Sequence, residues 1–228
     1  MIRAEVPVPG EGDAIERNYA LFGGPFGPVY SFYMEHEPVS RLIARVVWGA
    51  DIGLFYTSMR VIDEVPRGGV IIDAPCGAGV AFRALRPEQD VRYLAVDLSP
   101  AMLRRARSRA RKRGLPQIEF IEADAGAVPV ADAGADLFLS YFGLHCFHDP
   151  AAAVREIGRC LRPGGRVLGG AIVSGPSLRQ KVLVRPRRGA FGPVGTAEDV
   201  AQWLQDAGIH HVTVDCEGAF VYFSGSRA

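Results

Sequence analysis

Cysteine is scarce and scattered: Cys76, Cys146, Cys160 and Cys216 are the only four in 228 residues, and no two stand in a C-x-x-C pair. Their spacing supports neither a disulfide framework nor a metal site, so the expectation is four reduced thiols, no bound metal and a cytoplasmic setting. No apolar run reaches the ~18 residues that a bilayer-spanning helix needs. The opening MIRAEVPVPGEGD lacks the apolar centre of an export signal. Charge of one sign is missing too: 26 basic against 25 acidic residues leave a formal net charge of +1. No global field is available to recruit nucleic acid or an acidic membrane. There is no internal repeat and no low-complexity tract.

What the chain does have is apolar residues, 48% of the total, enough at this length for a sizeable core. Residues 1 to about 13, rich in Pro, Gly and acids, read as a loose arm. From Ala14 to Val65 aromatics are dense, and two stretches have helical spacing: SRLIARVVWG, with Leu42, Ile43, Val46 and Val47, and ADIGLFYTSMRVIDEV, which ends before Pro66. FGGPFGP breaks the region. These aromatics are either interhelical core or the wall of a substrate pocket. On the second reading Tyr30, Tyr33, Trp48, Tyr56 and, further on, Phe142 contact substrate. The expected organisation is an arm and helical cap over residues 1–67 and a core domain over residues 68–228.

From Gly69 the pattern alternates. GVIIDA, VRYLAVDLS, QIEFIEAD, DLFLSYF and RVLGGAIV read as strands, the apolar ones suited to a parallel sheet covered on both faces. Ser99 caps a helix that starts at Pro100 and ends before Gly114, PAAAVREIGRCL forms another, and Thr196 caps AEDVAQWLQDAG. Pro163-Gly164-Gly165 reads as the turn into the fifth strand, and HHVTVDCEGAFVYFSGS as a hairpin around Glu217-Gly218. The fold class expected is α/β: a doubly wound, Rossmann-like, mainly parallel sheet with an antiparallel C-terminal hairpin strand and an N-terminal helical cap.

VIIDAPCGAGV is the informative stretch. An acid ends a buried strand and two glycines follow, which suits a ligand lying against the backbone at the carboxyl end of the sheet. A second acid, Asp97, ends the next strand, where a carboxylate can take both hydroxyls of a ribose. The dinucleotide pattern G-x-G-x-x-G fails, because Gly77-Ala78-Gly79-Val80-Ala81-Phe82 has phenylalanine at its third glycine.

Four blocks in order resemble the class I S-adenosylmethionine-dependent methyltransferases: IIDAPCGAGV, LAVDLSPAML, FIEADAGAVPVADAGADLFLSYFGLHCFHDP and REIGRCLRPGGRVL. They span about residues 68 to 173 and are similar above all to the subgroup of quinone-biosynthesis and small-molecule methyltransferases. The pattern departs at Pro75, where the family usually has glycine.

The resemblance implies S-adenosyl-L-methionine as cofactor, S-adenosyl-L-homocysteine as product, and a set of residue roles. Asp73 orients the methionine amino group, and Ala74, Pro75, Cys76, Gly77 and Gly79 wrap the methionine portion. Asp97 holds the ribose, Leu98 packs on the adenine with Met102 in the same site, and Asp124 with Ala125 meets the adenine amine. Ser140 and Tyr141 border the sulfonium. His145 and His148 are the candidates for a general base, should the acceptor need to lose a proton.

The implied activity is methyl transfer to an oxygen, nitrogen or carbon of an apolar or aromatic small molecule. Cyclopropane formation, aminopropyl transfer or a non-catalytic scaffold role stay open as alternatives. Ser140-Tyr141-Phe142-Gly143 stands where base-methylating relatives carry [ND]-P-P-[YF], so nucleic acid is not the expected partner. A homo-oligomer is left open. Two basic stretches stand out. PAMLRRARSRARKRG reads either as a set of phosphate contacts or as a solvated face opposite a buried stripe of Met102, Leu103, Ala106 and Ala110, the second being the expectation. Residues 177–193 read as a flap, as a contact for an acidic substrate or lipid surface, or as a solvated loop.

Overall fold

The computed structural model describes residues 32–147, 149–175, 180, 181, 184 and 195–228. The expected arm, FGGPFGP and nearly all of the basic segment 177–193 lie outside the described residues.

At the centre is a seven-stranded sheet in the order β3-β2-β1-β4-β5-β7-β6. The strands are β1 Gly69–Asp73, β2 Val91–Asp97, β3 Ile118–Glu122, β4 Ala135–Tyr141, β5 Leu161–Ile172, β6 Ile209–Glu217 and β7 Phe220–Arg227. The first five are parallel and β7 runs antiparallel between β5 and β6. The order reverses at β1, which pairs with β2 on one side and β4 on the other. That is the point where such sheets open a crevice at their carboxyl ends.

The central strands β1, β2 and β4 are almost wholly buried, whereas the edge strand β6 alternates. Successive side chains on β1 feed opposite faces. Ile71 joins a core with Phe82, Tyr93 and Leu103 on one face. Ile72 joins a core with Val154, Ile157 and Leu204 on the other.

The helices are α1 Glu37–Ile43, α2 Gly53–Ser58, α3 Pro100–Arg113, α4 Pro150–Cys160 and α5 Ala197–Asp206. Their caps follow the sequence signals. Ser99 accepts from the Met102 backbone N–H, with Pro100 at the first position and Gly114 left-handed past the end. Thr196 and Asp199 exchange the two bonds of a capping box at α5.

Three elements differ from expectation. Strand β5 begins at Leu161, so Pro163-Gly164-Gly165 is an excursion inside the strand, absorbed between the pairs Ala135–Leu161 and Leu137–Arg166. Helix α1 starts before Ser40 and widens into a π-type turn at Ala44–Trp48. Its docked face is made of the small residues Ser40 and Ala44, while Leu42 and Val46 are each 65% exposed. Small side chains let this helix lie close, and the longer apolar ones point away. After α2 the last stretch of the cap, Met59–Glu64, tightens to a 3-10 turn.

Helix α3 buries Met102, Leu103, Ala106 and Ala110, as the periodicity requires. Its basic face is less open than expected: the Arg109 side chain is only 15% exposed and forms an ion pair with Glu35.

Candidate functional site

The turn after β1 is held by hydrogen bonds from both neighbouring strands. The Ala74 N–H donates to the Leu139 carbonyl (2.9 Å) and the Cys76 N–H to the Val96 carbonyl (2.8 Å). Asp97, at the end of β2, closes the arrangement. Its Oδ2 accepts from the Gly77 N–H at 2.8 Å and its Oδ1 from the Ser99 N–H at 2.8 Å. Gly77 has φ of 53°, with no atom within 4 Å of where a Cβ would stand, so the backbone is open to a ligand there. Gly79 has φ of 77°, and a Cβ on it would fall 2.3 Å from the Phe82 ring. Two glycines are thus required for two reasons, ligand approach at the first and packing at the second.

Asp73 is buried and its Oδ2 accepts from the Tyr93 hydroxyl at 2.8 Å. Its other oxygen has no hydrogen bond among the described residues. Burial pushes the Asp73 carboxyl up to about 7; the Tyr93 bond opposes the rise and the nearby Asp97 adds to it. Burial likewise raises Asp97 to about 6 against the two backbone N–H groups that favour its anion. Burial also raises the Cys76 thiol far above its usual range, so it stays protonated.

These groups form one wall of a cavity of about 360 Å³. The opposite wall comes from the N-terminal helices: Tyr33, Met34, Trp48, Ile52, Phe55 and Met59. Ile52, Phe55 and Met59 are spaced i, i+3, i+7 and share one helical face. Tyr141, Phe142, Ile172 and Phe220 join the two walls. Phe55 is the hub of the aromatic packing, with its ring centroid 5.1 Å from those of both Tyr141 and Phe142. Phe142 lies 5.2 Å from Phe220, which lies 5.7 Å from Trp48. The Tyr141 hydroxyl and Ser58 Oγ are 2.7 Å apart and latch the cap to the end of β4.

His145 also lines this cavity. Its Nδ1 accepts from the Ile172 backbone N–H at 3.2 Å, and burial lowers its pKa to about 4. The ring is therefore neutral with its proton on Nε2, which makes it a hydrogen-bond donor there. A proton acceptor would need the opposite tautomer.

Of the residues singled out from sequence, Asp73, Pro75, Cys76, Gly77, Asp97, Met102, Tyr141, His145, Tyr33, Trp48 and Phe142 meet around this cavity. Others do not line it. Ala74 and Ala125 are buried in the core on the far face of the sheet. Leu98 is 48% exposed. Asp124 is exposed and accepts from the Gly126 N–H at 2.8 Å. Ser140 is buried, its hydroxyl without a partner among the described residues. Tyr56 turns aside: its hydroxyl donates to the Met34 carbonyl (3.0 Å), and Arg83 stacks on its ring at 4.5 Å. Tyr30 and His148 lie outside the described residues.

Sequence reasoning missed Phe55, one residue before Tyr56, and Phe220. The i, i+3, i+7 spacing was a usable signal for the first. For the second, only the register of the hairpin, which sets Phe220 opposite Ile172, brings it to the strand end. No group of three or more His, Cys, Asp or Glu among the described residues is placed to hold a metal ion. No helix among them is long and apolar enough to cross a membrane.

Comparison with known proteins agrees with this geometry. A family model described as a methyltransferase domain matches residues 72–169. A demethylmenaquinone methyltransferase from Thermus thermophilus is 34% identical over 165 residues, 71% of this chain and 69% of that protein. An arsenite methyltransferase from Halobacterium salinarum is 27% identical over 178 residues, 75% of this chain. The match spans only 45% of the length of that second relative. Among solved structures, a SAM-dependent methyltransferase from Aquifex aeolicus superposes with a TM-score of 0.60 at 18% identity, covering 87% of this chain and 97% of that one, a likeness of fold.

Proposed function

The chain belongs to the class I S-adenosylmethionine-dependent methyltransferases, and on that premise we propose that its acceptor is an apolar or aromatic small molecule methylated on oxygen, nitrogen or carbon. One observation carries this reading. A single cavity joins the acid-and-glycine turn to the aromatic side chains Tyr33, Trp48, Phe55, Tyr141, Phe142 and Phe220.

The donor fits the residues present. Asp73 offers an unpartnered carboxylate oxygen to an ammonium group, directly or through water. Each oxygen of Asp97 keeps a second lone pair, beyond its backbone bond, for a ribose hydroxyl. Gly77 leaves the space that a methionine tail needs. When bound, S-adenosylmethionine supplies a methyl group activated by its sulfonium. We assign the exposed Leu98 to the adenine face, the exposed Asp124 to the adenine amine and Tyr141 to the border of the reacting centre, while Ala125 and Ser140, both buried away from the cavity, are left to packing.

The protein's own contribution is alignment and exclusion of water, worth up to about 7–11 kcal/mol when geometry is held. Residues 32–67, the described part of the expected arm and cap, provide it. We assign His145, neutral and with Nδ1 held by the Ile172 backbone N–H, to the cavity wall and not to deprotonation of the acceptor. The acceptor is then a group that needs no strong base, or one whose proton leaves to water.

The test is transfer of labelled methyl from S-adenosylmethionine to two matched panels, one of apolar and aromatic phenols, amines and quinols, the other of nucleosides and charged peptides. Label in the first panel alone is the expected outcome. Label confined to the second, or cofactor binding with no transfer to either, overturns the acceptor class.

A further inference from the structure

A second cavity, of about 510 Å³, lies between helix α3, the residues after Gly79 and the turn of helix at residues 32–35. It meets the first at two shared residues, Met34 and Val80. Its chemistry is the reverse of the first. Arg83, Arg105, Arg109, Lys112 and Arg113 line it, with Ser108, and the one carboxylate in the lining is Glu35.

Positive charge is concentrated there. Arg105, Arg109 and Arg113 are spaced i, i+4, i+8 on one helix face, where like charges repel. Burial first and Arg113 second lower the Arg109 pKa to about 10, a sign of cations crowded away from water. The helix C-terminus accounts for Lys112 and Arg113, but not for Arg83, which enters from another element. Glu35 neutralises Arg109, and Glu37 is 3.4 Å from Arg83. Arg113 is held toward the same place by donating to the Arg83 carbonyl at 3.0 Å. Guanidinium groups converging on a concave site match the oxygen geometry of phosphate.

We propose that this cavity is an anion-binding site for a phosphate or diphosphate group. Two sources share that chemistry: a phosphate carried on the methyl acceptor, its apolar body in the neighbouring cavity, or a separate phosphorylated small molecule. The site itself stands apart from the methyl-transfer reading. Only the first source rests on it.

The experiment titrates the full-length protein with inorganic pyrophosphate by calorimetry at low ionic strength, where screening is weak. Two charge-matched variants are compared. Lys112→Ala/Arg113→Ala removes two exposed cations that line the cavity. Arg104→Ala/Arg111→Ala removes two exposed cations of the same helix that do not. Saturable binding is expected in the wild type, weakened at least about tenfold in the first variant and less than about twofold in the second, as lost charge-assisted hydrogen bonds require. Equal weakening in both, or no saturable binding in the wild type, overturns the site, because attraction is then a matter of net charge.

S-Adenosylhomocysteine is titrated in parallel. Its retention in both variants shows that the fold and the cofactor turn are intact. Its failure to bind any of the three proteins would strike the methyl-transfer reading and leave the pyrophosphate result standing. A third arm uses octyl phosphate: binding tighter than that of inorganic phosphate, with the gain removed by Phe55→Ala, assigns the anion to the acceptor, while equal affinity assigns it to a separate molecule.

Discussion

The two walls of the main cavity are made differently. The sheet wall is backbone and acid: Asp73 and Asp97 end their strands, Gly77 sits in the turn after β1, and their positions follow from pairing and register. The cap wall is side chain and packing: Ile52, Phe55 and Met59 are placed by the way one short helix lies on the sheet. A wall of the first kind tolerates almost no substitution, because each group is fixed by strand pairing or by a specific hydrogen bond. A wall of the second kind can change its shape without disturbing the first. On the proposed function, donor recognition falls to the rigid side and acceptor choice to the plastic one.

Asp97→Ala breaks the sheet wall hardest. It removes a carboxylate that fixes two backbone N–H groups and is offered to the ribose. Each charge-assisted bond is worth about 1.5–3 kcal/mol, so affinity for S-adenosylhomocysteine should fall at least about 100-fold by calorimetry. A fall of only a few-fold would mean that the turn is not the donor site.

Next in size is pH. Asp73 and Asp97 have folded pKa values of about 7 and about 6, raised above the ordinary carboxylate value, so the folded state holds protons that the unfolded chain has released. Their contribution to stability is complete below pH ~4 and declines as pH rises through about 6 and then 7. On the proposed function ligand affinity has the opposite sign, because the ionised acids are the forms assigned to the ammonium and the diol. The rise in Tm produced by S-adenosylmethionine should therefore grow between pH 5 and 8, with affinity gaining at least about tenfold. A flat profile would separate these acids from the ligand.

Phe55→Leu tests the other wall. Volume is roughly kept, so stability should fall by only about 1–1.5 kcal/mol. The acceptor KM should rise about tenfold, with S-adenosylhomocysteine affinity unchanged. Equal damage to both ligands would erase the division between the walls. The smallest effect expected is that of Tyr93→Phe. Losing the hydroxyl that stabilises the Asp73 anion should cost about three- to fivefold in S-adenosylmethionine affinity at pH 7, and less at pH 8.5, where the carboxyl ionises anyway.

The same division explains what was legible in the sequence. The sheet wall is encoded locally. An apolar run, an acid and two glycines must form a strand end and a tight turn, and Ser99-Pro100 must start a helix beside it. The mainly parallel sheet follows from the alternation of elements and the antiparallel β7 from the hairpin signal at Glu217-Gly218, whereas the strand order is set by tertiary pairing. The cap wall is not local. Phe55 and Tyr56 are adjacent aromatics, and only docking decides that Phe55 faces the cavity while Tyr56 stacks under Arg83. The apolar residues of α1 misled for the same reason: Leu42 and Val46 have helical spacing, yet contact is made through Ser40 and Ala44. The basic face of α3 looked solvated because the sequence does not reveal that residues 32–35 lie across it.

The C-terminal hairpin sets Phe220 between Trp48 and Phe142, so segments about 170 residues apart in the chain close over the same space. Exchanging the hairpin tip and the cap helices together, as one graft, is then the natural route to a new acceptor on an unchanged donor platform. Swapping either half alone would leave mismatched surfaces at the Trp48–Phe220 seam.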